Sequence, residues 1–437
     1  MGVFDKVQDI FRIPELKRRI LFTVALLVVY RLGGHVPTPG VNSEALVAAF
    51  AAQSNTLFGL YDLFVGGSFA KATVFALGIM PYISVSIIFQ LLGAVVPYFE
   101  KLQKEGEEGR KKITQYTRIG TVLLAMAQSL AFARFLESMG AQGAPVVPNP
   151  GFGFQLMTMI TQTTGTILIM WLGEQITERG IGNGISLIIF IGIVARFPAD
   201  GINTIRALRV GTLSPVVAGL MAILFFLVIA SVVAMTQAQR KIPVQYAKRV
   251  VGRKQYGGQT THIPLRVNTA GVIPIIFAQS LIMLPSTLAL AFQGNPMIQG
   301  IANFVAHGTW AYVVIYGLTI VFFTYFYTAI VLNPTDMADN MKKYGGFIPG
   351  IRPGRKTSEY IDRILSRITL PGAIFLAIIA VLPDILITKL NVPFYFGGTS
   401  VLIVVGVALD TLQQIESHLL MRHYEGLTSG SRMRGRR

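Results

Sequence analysis

The sequence contains no cysteine and is poor in charged residues. Without cysteine, the 437-residue chain has no disulfides, thiolate nucleophiles or cysteine metal ligands. Charged residues make up only 14% of it, whereas a soluble domain carries about a quarter, which excludes an ordinary water-soluble enzyme. Acidic residues are fewer than basic ones: 21 Asp and Glu stand against 38 Lys and Arg, so the net charge is +17. With a mean hydropathy of +0.57, this composition predicts a polytopic membrane protein whose basic residues lie in water-exposed loops.

Motifs for metal, nucleotide and catalytic chemistry are also missing. The five histidines are scattered and form no HExxH spacing. The run from Gly180 to Gly184 is not GxGxxG, and GxxxxGK[ST] does not occur, so we interpret the run as a flexible start of a helix. No acid–base or nucleophile constellation is visible. We therefore expect no enzymatic activity, no metal site and no cofactor, and any energy for work has to come from a partner.

What the sequence does contain is a series of long apolar stretches. A membrane-spanning helix needs roughly 20 mostly apolar residues. Ten stretches fit, although the first and the fifth are short or interrupted by glycine. They lie near 20–36, 72–97, 117–136, 154–173, 184–197, 214–235, 270–292, 311–333, 368–388 and 398–416. The predicted fold class is all-α, with ten transmembrane helices.

The distribution of Lys and Arg predicts the orientation of these helices. With the N-terminus in the cytoplasm, 31 of the 38 basic residues fall on the cytoplasmic side. The other seven are Arg31, Lys71, Arg134, Arg196, Arg206, Arg209 and Lys389. This asymmetry favours an even number of spans with both termini in the cytoplasm.

The order of spans and loops predicts two halves. Five spans on each side of an external connection would enter the membrane from opposite sides, as in inverted-repeat transport proteins. The predicted parts are a cytoplasmic N-terminal segment (1–19), an N-terminal half (20–197), an external hinge (198–213), a C-terminal half (214–416) and a basic cytoplasmic tail (417–437).

The external segment between the first two spans contains a short apolar helix pattern. Leu57, Leu60, Tyr61 and Phe64 recur at helical spacing, and Gly66-Gly67 ends the pattern. Because the pattern is too short to cross a bilayer, it predicts either an interfacial helix or a half-helix tucked into a cavity.

Isoleucines lie beside helix breakers in several spans. The six are Ile79, Ile83, Ile185, Ile189, Ile276 and Ile403. Isoleucine in an apolar helix normally faces lipid or packs against a neighbour. The alternative is a constriction, in which apolar side chains from several helices meet and exclude water and ions.

Two long cytoplasmic segments, 236–267 and 334–367, hold seven basic residues each. The candidate docking residues are Arg240, Lys248, Arg249, Arg253, Lys254, Arg352, Arg355 and Lys356. These charges fit membrane orientation or contact with anionic lipid. They also fit docking of an acidic partner, either RNA or an acidic protein surface.

Charge at mid-depth is sparse, and polar uncharged residues take its place. Examples are Ser86, Gln90, Thr121, Gln279 and, at the start of the seventh span, Asn268. Such residues commonly hydrogen-bond helices together, and the alternative is a polar seam between spans that can part. A small-solute transporter would require charged or unwound ligating groups at this depth.

Six stretches of the sequence are specific enough to indicate a family: FALGIMPYISVSIIFQ (75–90), KEGEEGRKKITQYTR (104–118), GIGNGISLIIFIGI (180–193), NTAGVIPIIF (268–277), GFIPGIRPG (346–354) and PFYFGGTS (393–400). Together they resemble the SecY family of bacterial protein-conducting channels. The resemblance runs from about Ile13 to Tyr424.

The resemblance implies an hourglass pore between two inverted halves of five helices. The six isoleucines match the family's pore ring. The segment 55–72, with Leu57, Leu60, Tyr61, Phe64, Gly66 and Gly67, matches the plug helix that closes the outer funnel. Spans two and three against seven and eight match the lateral gate. Gln90 and Asn268 match its polar positions, with Ser86, Thr121 and Gln279 added from the polar seam. The loop of Arg253 and Lys254 and the loop of Arg352 match docking sites of the ribosome and of the SecA motor ATPase.

The function implied by this resemblance is a passive channel in the bacterial inner membrane. It would move unfolded secretory polypeptides across the membrane and release membrane-protein helices sideways into the lipid. The implied partners are the SecE and SecG subunits, SecA, the ribosome, signal peptides of secretory proteins, and membrane lipids. The alternative is a small-solute secondary transporter with inverted repeats.

Overall fold

A computed structural model describes most of the chain, and the chain forms two compact units. The described residues are 13–51, 61–62, 65–141, 144–246, 249–251, 254–256, 260–291, 296–305, 309–390 and 398–429. Unit 1 comprises Met1–Arg206, Ser280–His307 and Val407–Arg437, and unit 2 comprises Ala207–Gln279 and Gly308–Gly406. The chain first passes from unit 1 to unit 2 between Arg206 and Ala207, which lie within the predicted hinge 198–213. The inverted relation of two five-span halves stays a prediction.

The fold is helical, as predicted. The helices up to residue 237 are α1 (Pro14–Gly33), α2 (Ser43–Ala51), α3 (Met80–Val95), α4 (Pro97–Lys104), α5 (Glu107–Ser138), α6 (Phe152–Arg179), α7 (Gly184–Val194), α8 (Phe197–Val210) and α9 (Pro215–Gln237). Those that follow are α10 (Ile273–Ala291), α11 (Pro296–Phe304), α12 (Trp310–Val331), α13 (Pro334–Lys343), α14 (Arg355–Leu390) and α15 (Gly398–Ser429).

Each of the ten predicted spans contains a helix, but not every helix is long and apolar enough to cross a membrane. Within the described residues, seven are long and apolar enough, and the pair α3 and α4, bent by 97°, makes an eighth if it is one span. The predicted first span is a helix with charges at its start, and in the predicted seventh span the apolar helix Ile273–Pro285 is shorter than a membrane-spanning helix. The chain is therefore a multi-pass membrane protein, and the count of ten stays a prediction.

The bend between α3 and α4 has a local cause in the sequence. Pro97 has no N–H to donate, and its ring disfavours helical geometry at the preceding residue. Val96 accordingly adopts an extended conformation, with φ −100° and ψ 118°. The second predicted span therefore ends here, and α4 leaves it in a new direction.

Several segments of unit 1 pack against helix α6. Its Gln162 side chain donates to the hydroxyl of Thr38 at 2.9 Å and to the carbonyl of Thr73 at 2.8 Å. A Cβ built on Gly165 would collide with the carbonyl oxygen of Val74. Glycine at this position therefore lets the segment before α3 lie directly on α6.

Unit 2 contains a small sheet that the helical prediction did not include. Strands β3 (Gln239–Tyr246), β6 (Thr260–Arg266) and β7 (Gly346–Phe347) pair antiparallel in the order β6-β3-β7. The other strands, which form two separate hairpins, are β1 (Gly140–Ala141) with β2 (Ala144–Pro145) and β4 (Arg249–Val251) with β5 (Lys254–Tyr256). The sheet packs a buried core against α13 and α14: Ile242, Val244, Leu265, Met341, Ile348, Ile361 and Leu365. The two basic segments are therefore parts of one folded body rather than separate loops.

The close approach at Gly165 generates a stability prediction. We expect Gly165→Ala to destabilise the protein by about 1–3 kcal/mol, because the added methyl group meets a backbone carbonyl that cannot move aside. The measurement is the thermal unfolding midpoint of the detergent-solubilised protein.

The matched control is Gly153→Ala in the same helix, where nothing lies within 4 Å of the added Cβ. The midpoint of this variant should equal or slightly exceed that of the unchanged protein, since alanine has the higher helix propensity. Equal midpoints for both variants would contradict the packing of Val74 on α6.

Candidate functional site

The first two predicted ring isoleucines lie at the start of α3. Ile79 is the residue before the helix, and the amide of Ile83 donates to its carbonyl at 3.1 Å. The two side chains therefore follow each other by one helical turn. Both are almost fully buried. Pro81 lies in the first turn, where its missing N–H leaves no helical hydrogen bond unmade.

The second pair lies at the start of α7, which is fixed by a side-chain cap. The Asn183 side chain accepts hydrogen bonds from the amides of Ile185 at 3.1 Å and Ser186 at 3.2 Å. This cap fixes where the helix begins and so where Ile185 and Ile189 lie. Ile189 is buried and Ile185 is half-buried.

The glycine run before α7 is more constrained than the sequence suggests. The amide of Gly182 donates to Gln414 Oε1 at 2.9 Å, and the amide of Gly184 donates to Thr177 Oγ1 at 2.9 Å. A Cβ at Gly184 would collide with the carbonyl of Gly173 in α6. The interpretation as a flexible start was wrong, because these glycines serve close packing and hydrogen bonding.

The last two isoleucines belong to unit 2. Ile276 follows Pro274 in α10, and Ile403 lies in α15; both are buried. The two segments pack closely near these residues: a Cβ on Gly406 in α15 would collide with the side chain of Val272, which immediately precedes α10. Four of the six isoleucines thus lie in unit 1 and two in unit 2, and the closing of a ring by all six stays a prediction.

The predicted plug is described in part. Leu57, Leu60 and Phe64 lie outside the described residues, whereas Tyr61 donates its hydroxyl to the carbonyl of Leu77 at 2.6 Å. The Tyr61 ring packs on Phe69 with centroids 4.8 Å apart. The end of the segment is therefore fixed to the chain that leads into α3.

Gly66 and Gly67 are required by backbone geometry. Both have positive φ, 71° and 86°, which side-chain-bearing residues rarely adopt. A Cβ on Gly66 would lie 2.9 Å from the Cα of Gly192 in α7. The glycine turn of the predicted plug segment thus lies backbone to backbone against the helix of Ile185 and Ile189.

Sequence reasoning missed the charged contacts of this segment. Asp62 is buried and pairs with Arg196, Oδ2 to Nη1 at 2.8 Å. Burial raises the pKa of the Asp62 carboxyl, while Arg196 and the amides of Ala70 and Phe69 act to lower it. Arg31 donates from Nη1 to the carbonyl of Gly66 at 3.0 Å. The available signal was that Arg31 and Arg196 are among the few basic residues outside the predicted cytoplasmic segments.

The predicted gate residues fall into two groups. Gln90 donates to Ser86 at 3.3 Å, and Thr121 donates to the carbonyl of Thr117 at 2.7 Å, so these contacts lie within single helices. In unit 2, Asn268 Oδ1 and Gln279 Nε2 are buried and have no hydrogen-bond partner among the described residues. At these two positions of the polar seam, the Asn268 oxygen can therefore accept a further hydrogen bond and the Gln279 nitrogen can donate one.

The serine pair that joins the predicted second and seventh spans was not among the predicted gate residues. The hydroxyls of Ser84 in α3 and Ser280 in α10 lie 2.6 Å apart, both buried within unit 1. The signal for it was the polar pair Gln279-Ser280 in an otherwise apolar stretch. One short hydrogen bond thus joins the two helices that the resemblance assigns to opposite sides of the gate.

Among the predicted docking residues, Arg352 differs from its neighbours. Arg355 and Lys356 both pair with Glu359, at 3.2 and 2.9 Å, and the hydrogen bond from Lys356 lowers the pKa of this carboxyl. Arg352 is exposed, and no ion-pair partner is described for it. Its guanidinium is therefore available to an external anion.

The other docking candidates are described less fully. Arg240 is exposed at the start of β3. Lys248 and Arg253 lie outside the described residues, and for Arg249 and Lys254 the backbone alone is described, in β4 and β5. No group of three or more potential metal ligands occurs in the described part of the chain.

Comparison with known proteins identifies the family. The SecY family model matches residues 73–412. A protein translocase subunit SecY of Aquifex aeolicus is 47% identical over 96% of this chain and 98% of its own length.

Two solved structures show the same fold. One is described as "The plug domain of the SecY protein stablizes the closed state of the translocation channel and maintains a membrane seal", with a TM-score of 0.61 and 19% identity over 95% of this chain and 97% of the other. The second, "Sec61 in the Canine ribosome-channel complex from the endoplasmic reticulum", has a TM-score of 0.61 and 18% identity over 95% and 97% of the two chains. The fold, the motifs and the extent of the match together mean that the chain belongs to the SecY family.

Proposed function

We propose that this chain forms a passive channel for unfolded polypeptides. Secretory proteins pass through it across the bacterial inner membrane, and apolar helices leave it sideways into the lipid. The proposal is supported by membership of the SecY family and by a relative of this family named as a protein translocase subunit.

The observation that carries the proposal is the position of the isoleucines. Each pair in unit 1 lies at the start of a helix whose first turn is fixed, by Pro81 in α3 and by the Asn183 cap in α7. A polypeptide in transit is extended, at about 3.3 Å per residue, and its sequence varies. A narrow apolar waist contacts such a chain by shape alone, so it passes any sequence and excludes ions when it is empty.

The energy for transport has to come from a partner on the cytoplasmic side. The basic segments 236–267 and 334–367 supply the docking surface, and both termini lie on the same side. The canine Sec61 structure is named as part of a ribosome-channel complex, which supports the ribosome as one partner. SecA as the motor ATPase and SecE and SecG as further subunits complete the proposed assembly.

The alternative of a small-solute transporter lacks the necessary groups. Among the buried residues that are described, Asp62 alone is charged; it lies outside the predicted spans and pairs with Arg196 at the end of the fifth. Coupled transporters place ionisable residues or unwound ligating backbone at mid-depth. The protein-conducting channel is therefore the function that we propose.

Polar substitution in the ring should open the resting channel to ions. We expect Ile276→Asn and Ile403→Asn each to raise the resting ion conductance about tenfold, since a shift of about 1.4 kcal/mol toward the open state changes its population by that factor. Polar side chains allow water into the waist and so weaken the closed state. The variants should also export proteins with defective signal sequences. Planar-bilayer conductance and export into vesicles measure both effects.

The control for the ring is Ile275→Asn, because Ile275 is equally buried in α10 but is not a ring residue. It should lower the thermal stability without raising conductance. If the ring variants leaked no ions and exported only proteins with strong signal sequences, the ring assignment would be wrong.

Charge reversal at Arg352 should impair docking of the energy-supplying partner. We expect Arg352→Glu to reduce motor-driven or ribosome-driven translocation at least about tenfold, because an interface that loses a charge contact and gains a repulsive one loses several kcal/mol. Translocation into proteoliposomes with the purified partner provides the measurement. The amount of channel protein in the vesicles should not change.

Lys343→Glu is the matched control, since it changes the charge of the same segment equally at another exposed position. Its effect should be small. Translocation by Arg352→Glu at the rate of the unchanged protein would refute the docking role.

A further inference from the structure

The turn in the second half of the predicted plug segment (55–72) is tied to α1 and to the end of α7 by arginine side chains. Arg196, two residues beyond the end of α7, donates from Nη1 to Asp62 Oδ2 at 2.8 Å. Arg31, in the last turn of α1, donates from Nη1 to the carbonyl of Gly66 at 3.0 Å. Both helices belong to unit 1, so the two ties lie within one compact body.

Asp62 also accepts hydrogen bonds from other residues of the turn. Its other carboxylate oxygen, Oδ1, accepts a hydrogen bond from the amide of Ala70 at 2.8 Å, and the amide of Gly67 donates to its carbonyl at 2.9 Å. The Asp62 side chain is 10% exposed and that of Arg196 is 31% exposed. The carboxylate therefore has partners on both oxygens only while the turn is folded and lies beside Arg196.

The backbone contact beneath the ion pair puts the turn next to the predicted ring. Gly66 lies against Gly192, one helical turn before Arg196. The same helix, α7, carries Ile185 and Ile189. Any outward movement of the turn thus separates Asp62 from Arg196 and Gly66 from α7 at once.

We infer that Asp62 and Arg196 form a latch that sets how firmly the channel closes. The inference rests on the proposed function, because a latch has a role only in a molecule that opens. Leaving the closed state requires the ion pair to break in an environment that excludes most water.

The physical advantage of an ion pair here is that its strength depends on water. Attraction between two charges is strong where water is excluded and weak where water surrounds them. The pair therefore stabilises the closed state and contributes little once the funnel is wet. An apolar contact of the same strength would continue to favour a collapsed channel, whereas this latch releases when water enters.

The test uses Asp62→Asn, which keeps the shape of the side chain, and Arg196→Gln, which is shorter but still polar; each removes one charge of the pair. Each should raise the resting conductance of the channel in planar bilayers at least about tenfold, since Arg196→Gln leaves the buried Asp62 charge and Asp62→Asn the partly buried Arg196 charge without its partner. The double variant should leak no more than the leakier single variant, because it leaves no unpaired charge.

The control is Glu174→Gln, which breaks the Arg118–Glu174 ion pair (2.7 Å) between α5 and α6 in the same unit. Its resting conductance should equal that of the unchanged protein. Export of a protein with an intact signal sequence, measured for every variant, verifies that each is folded and inserted.

The latch is refuted if the single variants, folded by the export measurement, have the conductance of the unchanged protein. It is also refuted if the two single effects multiply in the double variant, since independent sites would behave in that way. Failure of the proposed function gives a different result, because the unchanged protein would then export no polypeptide at all.

Discussion

Glycine-mediated close packing on α6 is the interaction on which the rest of unit 1 depends. In lipid, helices gain no hydrophobic driving force from association, so close contact through small residues becomes decisive. Gly165 admits the segment that leads to Ile79, and Gly173 and Gly184 bring α7 against α6. Gly66 makes the same kind of close backbone contact with Gly192 in α7. The four candidate ring isoleucines of unit 1 and the glycine turn of the plug segment are thus positioned by packing that starts from one helix.

In the proposed channel, the apolar isoleucines and the polar pairs have different roles. The isoleucines are suited to contact any passing chain, since they offer no hydrogen bonds and no charge. The polar contacts, Asp62 with Arg196 and Ser84 with Ser280, join elements that separate in the proposed opening of the channel. Water weakens these polar contacts once it enters. A closed channel can then be stable and still release without a large apolar surface being pulled apart.

The sequence predicted the helical fold because hydropathy over about 20 residues reflects a single physical demand, that of the bilayer. It predicted the isoleucines only through the family resemblance, since isoleucine alone fits lipid contact equally well. The sheet around Ile242 and Val244 was missed, although their alternation with exposed residues is a strand pattern, because the basic residues dominated the interpretation of that segment. The Asp62–Arg196 pair could not be predicted, because its partners are 134 residues apart and no local periodicity connects them.

The central claim, that a polypeptide passes the isoleucines of α3, can be tested directly because the chain contains no cysteine. A single cysteine is introduced at Ile83, which is buried, or at Ile88 in the same helix, which is 47% exposed on another face. A secretory polypeptide carrying one cysteine is then stalled in transit and the mixture is oxidised. The account predicts disulfide crosslinks at position 83 and none at position 88. Crosslinks at position 88 alone, or at neither position while translocation proceeds, would contradict it.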